Sequence, residues 1–484
     1  MSQQKQKKIS LPLYIISVII ALIVGGAGVF YYQEKQKDSL SHSVISQEQL
    51  AKNFSSIEEL YQILSTQYVE PVEQKKLIEG ALAGMAAGTG DPYTEYLNED
   101  VSTNLNEEMT GSFQGIGTEV TKEGKQLKVV APISGSPAEK AGILANDVIV
   151  AVDDKAVAGM SINEAVDLIR GKEGATVTLT ILRDGEQFNV SIKRAEIPVE
   201  TVHVEKDPEY SNIAHIKITK FSDTTAKDLK KALKSLKKEK INSVVLDVRN
   251  NPGGVLGGVL EIANMFVPDG QPLMQSKERG QKEPIVYNAS EELGTYKYDG
   301  QIVLLVDEGS ASASEILAGA LKSIKVPIIG QKTFGKGTIQ TVQPLELSKG
   351  ELKYTMGYWL TANGDPINKK GIKPDIEVTL DIPDHLFAIN TEKKYQLDDI
   401  NSEVENIKRI LSFLDYDVNA TNIYDEATQT SIEAFQKEQK LPVTGTVDGQ
   451  TASALTEAVR HQIKAKDTQY HAAVSELAKM NKES

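Results

Sequence analysis

Cysteine is absent from this 484-residue chain, which excludes disulfides, thiolate metal sites and a cysteine nucleophile. Histidine is scarce. His42, His203, His215, His385, His461 and His471 are the full set, and no two stand at the i, i+4 spacing of a helical zinc site. None stands in a recognisable triad motif, so hydrolytic chemistry here needs another base. No motif asks for a metal or a cofactor. Apart from the N-terminal tip no strongly basic block is read, and the net charge is −14, which argues against nucleic acid as a partner. Charge itself is missing over residues 10–32, just after Lys5, Lys7 and Lys8. A bilayer core needs about 20 apolar residues, and positive flanks stay cytoplasmic. The run therefore reads as a single-pass cell-membrane anchor with the bulk of the chain extracytoplasmic. A cleaved signal peptide is the competing reading. Against it, residues 25–30 lack an A-x-A site, and Tyr31 and Tyr32 suit interface anchors.

What is present divides by pattern into a cytoplasmic tip 1–9, the anchor 10–32, a polar linker 33–45 and a helical region 46–110. Leu60, Ile63, Leu64 and Tyr68, then Leu77, Ile78, Ala81, Leu82 and Met85, recur at helical spacing. The helical stretch 46–87 is a candidate arm for homodimerisation. Residues 111–195 change to short β-prone runs at 127–130, 147–152 and 177–182, with short helices at 137–142 and 162–170. Residues 196–385 alternate apolar strands (213–218, 243–248, 302–306, 326–329) with helical patterns (225–237, 255–266, 314–323), which is α/β architecture. Residues 395–460 form a compact helical module around Ile407, Ile410, Leu411, Leu414, Ile432, Phe435 and Leu441. Residues 461–484 read as a loosely ordered, mixed-charge end.

Three segments carry candidate chemistry. Gly309-Ser310-Ala311-Ser312-Ala313-Ser314-Glu315 follows a strand and opens a helix, where free N–H groups and the helix dipole favour negative charge. The same spacing, Ser312-x-x-Glu315, also fits a capping box. Gly330 to Gln340 nearly matches a phosphate-binding loop. Gly337 stands where that loop needs Ser or Thr, and 338–342 looks extended, so the nucleotide reading is rejected. Lys336 between Gly335 and Gly337 is otherwise unusual, and small neighbours allow close backbone approach. Burial lowers a lysine's pKa toward neutrality, which would make Lys336 a base for a serine. Gln340, four residues on in an extended segment, falls on the same face and can orient the amine. In Asp247-Val248-Arg249-Asn250-Asn251-Pro252-Gly253-Gly254 a strand ends in a glycine turn. Its N–H groups at Gly253 and Gly254, with that of Ala313, can form an oxyanion hole, or the turn is structural only.

Two flanking regions resemble known modules. Gln114-Gly115-Ile116-Gly117, Ser136 to Gly142 and Asp147-Val148-Ile149, in this order, are similar to a PDZ domain. That likeness implies an extended chain end added to a sheet edge, its carboxylate held by the loop Gln114, Gly115, Ile116 and Gly117. The tail, through Phe413-Leu414-Asp415-Tyr416, Ala434-Phe435-Gln436 and Leu441 to Gly445, resembles the three-helix peptidoglycan-binding repeat, with Asp415 where that family has glycine. Peptidoglycan is therefore a candidate partner.

Taken together, and with Asp91-Pro92-Tyr93-Thr94-Glu95-Tyr96-Leu97 and Gly371-Ile372-x-Pro374-Asp375, the segments resemble the C-terminal processing (tail-specific) serine peptidases over roughly residues 55–380. The resemblance implies Ser312 as nucleophile, Lys336 as base, Gln340 as helper, no cofactor, and protein substrates with exposed C-termini. Arg170, at the end of the helix bordering the PDZ groove, is a candidate regulatory lever, or simply a cationic helix cap. The expected fold is multidomain α/β: a Ser-Lys peptidase core with an inserted PDZ-like β domain, an N-terminal transmembrane helix and helical arm, and a C-terminal three-helix module. A non-catalytic PDZ scaffold joining membrane proteins to the cell wall, or a chaperone-like binder with the same fold, are the rival readings.

Overall fold

The computed structural model describes residues 46–346, 348–380 and 386–483. The tip 1–9, the apolar run 10–32 and the linker 33–45 lie outside them. Among the described residues no helix is long and apolar enough to cross a membrane. The first unit, through Met85, holds helix α1 (Gln47–Gln67), capped by Ser46, and nearly all of α2 (Gln74–Ala87).

The second unit begins with β1 (Glu95–Leu97) and α3 (Glu99–Thr110). The stretch to residue 110 is thus not purely helical, because β1 pairs with a strand of the α/β core introduced below. The PDZ-like β domain enters on β2 (Ser112–Gly115) and leaves on β9 (Ala195–Pro198), and these two pair antiparallel as its neck. Between them lie β3 (Thr118–Glu123), β4 (Gln126–Pro132), α4 (Pro137–Lys140), β5 (Val148–Val152), β6 (Lys155–Ala156), α5 (Ile162–Ile169), β7 (Thr176–Arg183) and β8 (Glu186–Lys193). The sheet order β3-β4-β5-β7-β8 leaves β3 as an edge strand, and α5 packs against it. An open edge beside a helix is the geometry that accepts an added strand.

The α/β core contains β10 (Val202–Lys206), β11 (Ile213–Ile218), α6 (Thr225–Lys238), β12 (Ser243–Asp247), α7 (Leu256–Asn264), β13 (Pro272–Glu278), β14 (Ile285–Asn288), β15 (Gln301–Val306), α8 (Ala313–Ser323), β16 (Ile328–Gly330), β17 (Thr338–Leu345), β18 (Gly350–Thr361) and β19 (Ile376–Glu377). One sheet runs β10-β11-β12-β15-β16-β19 and is parallel from β11 onward. A second, antiparallel sheet joins β1, β18, β13 and β14, with β17 also on β18. Every residue of β12 is buried, as expected of a parallel strand covered on both faces. One face, with Ile216, Val244, Leu246 and Leu304, belongs to the cluster that includes Leu229, Leu233 and Leu236 of α6. The outer side of α6 carries exposed Lys227, Lys231, Lys234, Lys237 and Lys238, so basic residues cluster beyond the N-terminal tip as well.

The alternate residues Ile213, Val245, Val303, Leu305 and Ile329 face the other way. What covers them corrects the reading of a loosely ordered end. The C-terminal module, α9 (Ser402–Phe413), α10 (Glu426–Glu438) and α11 (Gly449–Ala465), is followed at once by α12 (Thr468–Glu483). Ala473, Val474 and Leu477 of α12 close over that second sheet face. Within the module, Asp415 adopts φ +69, a left-handed conformation natural to glycine, and its carboxylate accepts from Lys466 Nζ at 3.1 Å.

Candidate active site

At the carboxyl ends of the parallel strands the chain turns from β15 into α8 through the three serines. Ser310 is spent on structure: its hydroxyl donates to Val248 O (2.8 Å) and accepts from Asp307 N–H (3.0 Å). Ser314 is spent likewise, donating to Asn251 O at 2.8 Å. Ser312 sits between them at φ +53 and ψ −111, a strained conformation of the kind stored at functional turns. Its hydroxyl makes no capping bond. The Glu315 N–H goes to the Ser312 carbonyl oxygen instead, at 2.9 Å. The capping-box expectation is met in arrangement: Ser312 and Glu315 face each other reciprocally, and the bond that forms best is Glu315 Oε2 accepting from Ser312 N–H at 2.9 Å.

Glu315 does more than close that box. It is fully buried, and the same Oε2 accepts from Lys336 N–H at 2.9 Å. Its Oε1 accepts from Thr333 Oγ1 (2.6 Å) and Gly335 N–H (2.7 Å). One carboxylate thus ties the serine turn to the lysine loop. From the other side Trp359 Nε1 donates to Lys336 O at 2.8 Å. The glycines flanking Lys336 serve the loop backbone: a Cβ on Gly337 would lie 2.4 Å from Asn368 N.

The Lys336 ammonium lies 4.5 Å from the centroid of the Tyr93 ring, a cation–π contact. Burial lowers its pKa, Lys353 lowers it further, and Asp91 and Glu315 oppose the shift. Ser312, Lys336 and Gln340 line one cavity of about 410 Å³ with Met109, Phe221, Ile316 and Trp359 as apolar walls. Gln340 Nε2 donates to Thr338 Oγ1 (2.9 Å) and Thr355 Oγ1 (3.1 Å), and Thr355 donates to Asp91 Oδ2 at 2.6 Å. Among the described residues Lys336 Nζ makes no hydrogen bond to Ser312 or Gln340. The expected dyad partners share a cavity without being joined.

The oxyanion-hole candidates divide. Ala313 opens α8, and Gly254 follows the bonded Gly253 in the glycine turn. Both line the cavity, and neither has an acceptor among the described residues. Gly253 is corrected: its N–H already donates to Asn251 Oδ1 at 2.9 Å, so it has none to offer an oxyanion. Gly254 must be glycine, since a Cβ would fall 1.9 Å from Phe221 O.

In the PDZ domain, Ile116 and Gly117 likewise keep N–H groups without acceptors among the described residues. Gly115 ends β2, while the Gln114 side chain accepts from Glu173 N–H at 3.0 Å. Arg170 caps α5 and does not stop there. Its Nη1 donates to Glu107 Oε2 at 2.7 Å, and its guanidinium lies 5.2 Å from the Phe113 ring centroid. Glu107 is on α3, whose Leu105 and Met109 line the same cavity as Ser312 and Lys336. Tyr93, Asp91, Lys353 and Glu315 were not singled out from sequence as site residues. Tyr93 and Asp91 fall within the motif before the PDZ domain, which was the available signal.

Family models match four stretches: peptidase family S41 over residues 212–378, a PDZ domain over 128–183, the activating protease CtpB N-terminal domain over 22–101, and a putative peptidoglycan binding domain over 401–455. The chain is 37% identical over 481 residues to the carboxy-terminal processing protease CtpA of Bacillus subtilis (strain 168), covering 98% of this chain and 99% of that relative. It is 37% identical over 460 residues to CtpB of the same strain, covering 92% and 94%. A probable CtpA-like serine protease of Staphylococcus aureus (strain MW2) is 40% identical over 410 residues, covering 84% and 81%. Matched along nearly its whole length by such relatives, the chain belongs to the carboxy-terminal processing serine proteases of peptidase family S41.

Proposed function

We propose that this protease is anchored in the cell membrane with its bulk extracytoplasmic, reads the C-terminal tails of protein substrates through its PDZ domain, and cleaves them with a Ser312–Lys336 dyad. One observation carries the dyad: of the three turn serines only Ser312 has a hydroxyl with no side-chain hydrogen bond among the described residues, and it lines a cavity shared with a half-buried lysine. Neutral Lys336 takes the Ser312 proton as Oγ attacks the scissile carbonyl carbon. The oxyanion is held by the N–H groups of Ala313 and Gly254. Collapse breaks the C–N bond, and the leaving amine takes the proton from Lys336. Water then hydrolyses the acyl ester by the same base. Gln340, held by its amide nitrogen, keeps its carbonyl oxygen for the amine. The uncharged run 10–32 after three lysines supports the anchor. The match over 401–455 supports peptidoglycan as a partner. The exposed row Leu50, Phe54, Ile57 and Leu60 on α1 supports a homodimer arm.

Tail recognition rests on the open N–H groups of Ile116 and Gly117 beside the β3 edge, and on Arg170, which reaches α3. A ligand shifts an equilibrium only by its differential affinity for the two states, and a tail carboxylate supplies one. Matched free-acid and amide peptides test this. The acid should be cleaved about tenfold faster or more, and Arg170→Ala should lose most activity with little change in melting temperature. Equal cleavage of both peptides, with a fully active variant, would leave the PDZ domain a passive tether.

The base has its own signature. Activity should rise with pH through an apparent pKa below the usual lysine value, because the neutral amine is the active form. Lys353→Gln removes a positive neighbour, so Lys336 should titrate higher and the acid limb move to higher pH. Asp91→Asn removes a negative neighbour and should move it to lower pH. A limb unmoved in both variants would assign it to another group.

A further inference from the structure

The loop that carries the oxyanion donor begins at Arg249, and Arg249 is held from far along the chain. Its Nη1 donates to Asp467 Oδ1 (2.8 Å) and to Gln469 Oε1 (3.0 Å), and its Nη2 to Asp467 Oδ2 (2.8 Å). The contact spans 218 positions of sequence. On its other edge, Nε and Nη2 bond Asp247, which is fully buried and also bonded to His215 Nε2 at 2.9 Å. The guanidinium fork is thus filled on both sides, the geometry in which arginine positions best. These contacts hold Asp247 well below the usual carboxylate range against the cost of burial.

The segment supplying Asp467 and Gln469 is itself pinned. Gln469 Nε2 donates to Val378 O (2.8 Å), Thr468 Oγ1 to Thr379 O (2.7 Å), and Tyr470 OH to Asp207 Oδ2 (2.9 Å). Downstream of Arg249 the chain turns at Asn250 (φ +56) into Asn251. The Asn251 carbonyl accepts from Ala311 N–H (3.0 Å) and Ser314 Oγ (2.8 Å) on either side of Ser312. Asn251 Oδ1 holds Gly253 N–H, immediately before the open donor of Gly254. A continuous set of contacts therefore runs from Asp467 through Arg249 to the oxyanion loop and the serine turn.

We propose that Asp467 and Gln469 are positioning residues of the active site: the segment after the C-terminal module fixes Arg249 and, through it, the Gly254 donor in the cavity that Ser312 lines. The last helix is then a working part of the peptidase. The inference rests on the proposed dyad and oxyanion pair. It predicts a loss in transition-state stabilisation, where a misplacement of 1 Å can cost about 100-fold, with substrate binding spared.

The test uses the full-length chain. Wild type, Asp467→Ala and Asp467→Glu are compared for the rate at which a serine-reactive phosphonate modifies Ser312, and for kcat and KM on a free-acid tail peptide. Asp467→Ala should lose about tenfold or more in both phosphonylation rate and kcat, with KM nearly unchanged. Asp467→Glu, which keeps the charge, should recover much of the loss. A purely structural role lowers the melting temperature and leaves both rates unchanged at temperatures where the protein is folded, and that result overturns the inference. Should Asp467→Ala fail to fold, Asp467→Asn replaces it, with a smaller loss in the same two rates expected and wild-type rates again decisive against. Wild-type protein that cleaves the peptide but takes no label at Ser312 removes the dyad, and this inference with it.

Discussion

Ser312→Ala is expected to abolish peptide hydrolysis, a loss on the order of 10⁴-fold or more in kcat, with an unchanged melting temperature. The hydroxyl forms no side-chain cap hydrogen bond on α8, so its removal costs the fold less than losing a buried bond. Ser310→Ala should behave in the opposite way. Its buried hydroxyl holds Val248 O and Asp307 N–H, and leaving them unmatched costs about 1–3 kcal/mol. Lys336→Arg should be as inactive as Lys336→Ala, because a guanidinium keeps the charge and cannot act as a base. Turnover, phosphonate labelling and thermal melts on the four variants separate these outcomes. Activity surviving in Ser312→Ala but lost in folded Ser310→Ala would move the nucleophile to Ser310.

Glu315→Gln is expected to cost on the order of 10²-fold in kcat. The present side chain receives four donors, from Ser312 N, Lys336 N, Gly335 N and Thr333 Oγ1. A carboxylate can accept all four, whereas a glutamine has one acceptor and a nitrogen that would face N–H groups. The serine turn and the lysine loop should then part. The variant also loses a negative charge that raises the pKa of Lys336, so the acid limb of its pH–rate profile should shift to lower pH. Glu315→Asp keeps the charge on a shorter arm. It should lose kcat without that shift, and the pair of profiles separates reach from charge. Wild-type kcat in folded Glu315→Gln would show that Glu315 has no role in registering the two loops.

Much of this architecture is legible in the sequence because local rules act strongly on it. The runs at 213–218 and 243–248 are rich in aliphatic, β-branched residues, broken only by His215, Lys217, Ser243 and Asp247, and they form β11 and β12. The helix start at Ser312 follows from local chemistry. So does the glycine turn after Arg249, because φ above zero at Gly253 and Gly254 is a property of those positions. The antiparallel sheet of β13, β14, β17 and β18 is not legible as a sheet: β13–β14 and β17–β18 are neighbours in sequence, but the β13–β18 and β1–β18 pairings that join them are distant, and the strands lack a continuous apolar run. Gly253 was assigned an oxyanion role because a glycine turn announces free N–H groups. It does not announce that Asn251 bends back to take one of them.

The sequence by itself determined the modules, their order, and which residue types can do chemistry. It also marked one face of β12, with Val244, Leu246 and Val248, as apolar, while the other carries Ser243, Val245 and Asp247. Only the tertiary structure decided what covers the second face, and it chose a segment that reads as a mixed-charge end. Its apolar residues Ala473, Val474 and Leu477 are too few to declare a core on their own. The same is true of Glu315, whose spacing fits a helix cap and whose four partners come from two loops. A side chain's neighbours along the chain are fixed by covalent geometry. Its neighbours across the fold depend on which surfaces must be buried together, and no local pattern carries that information.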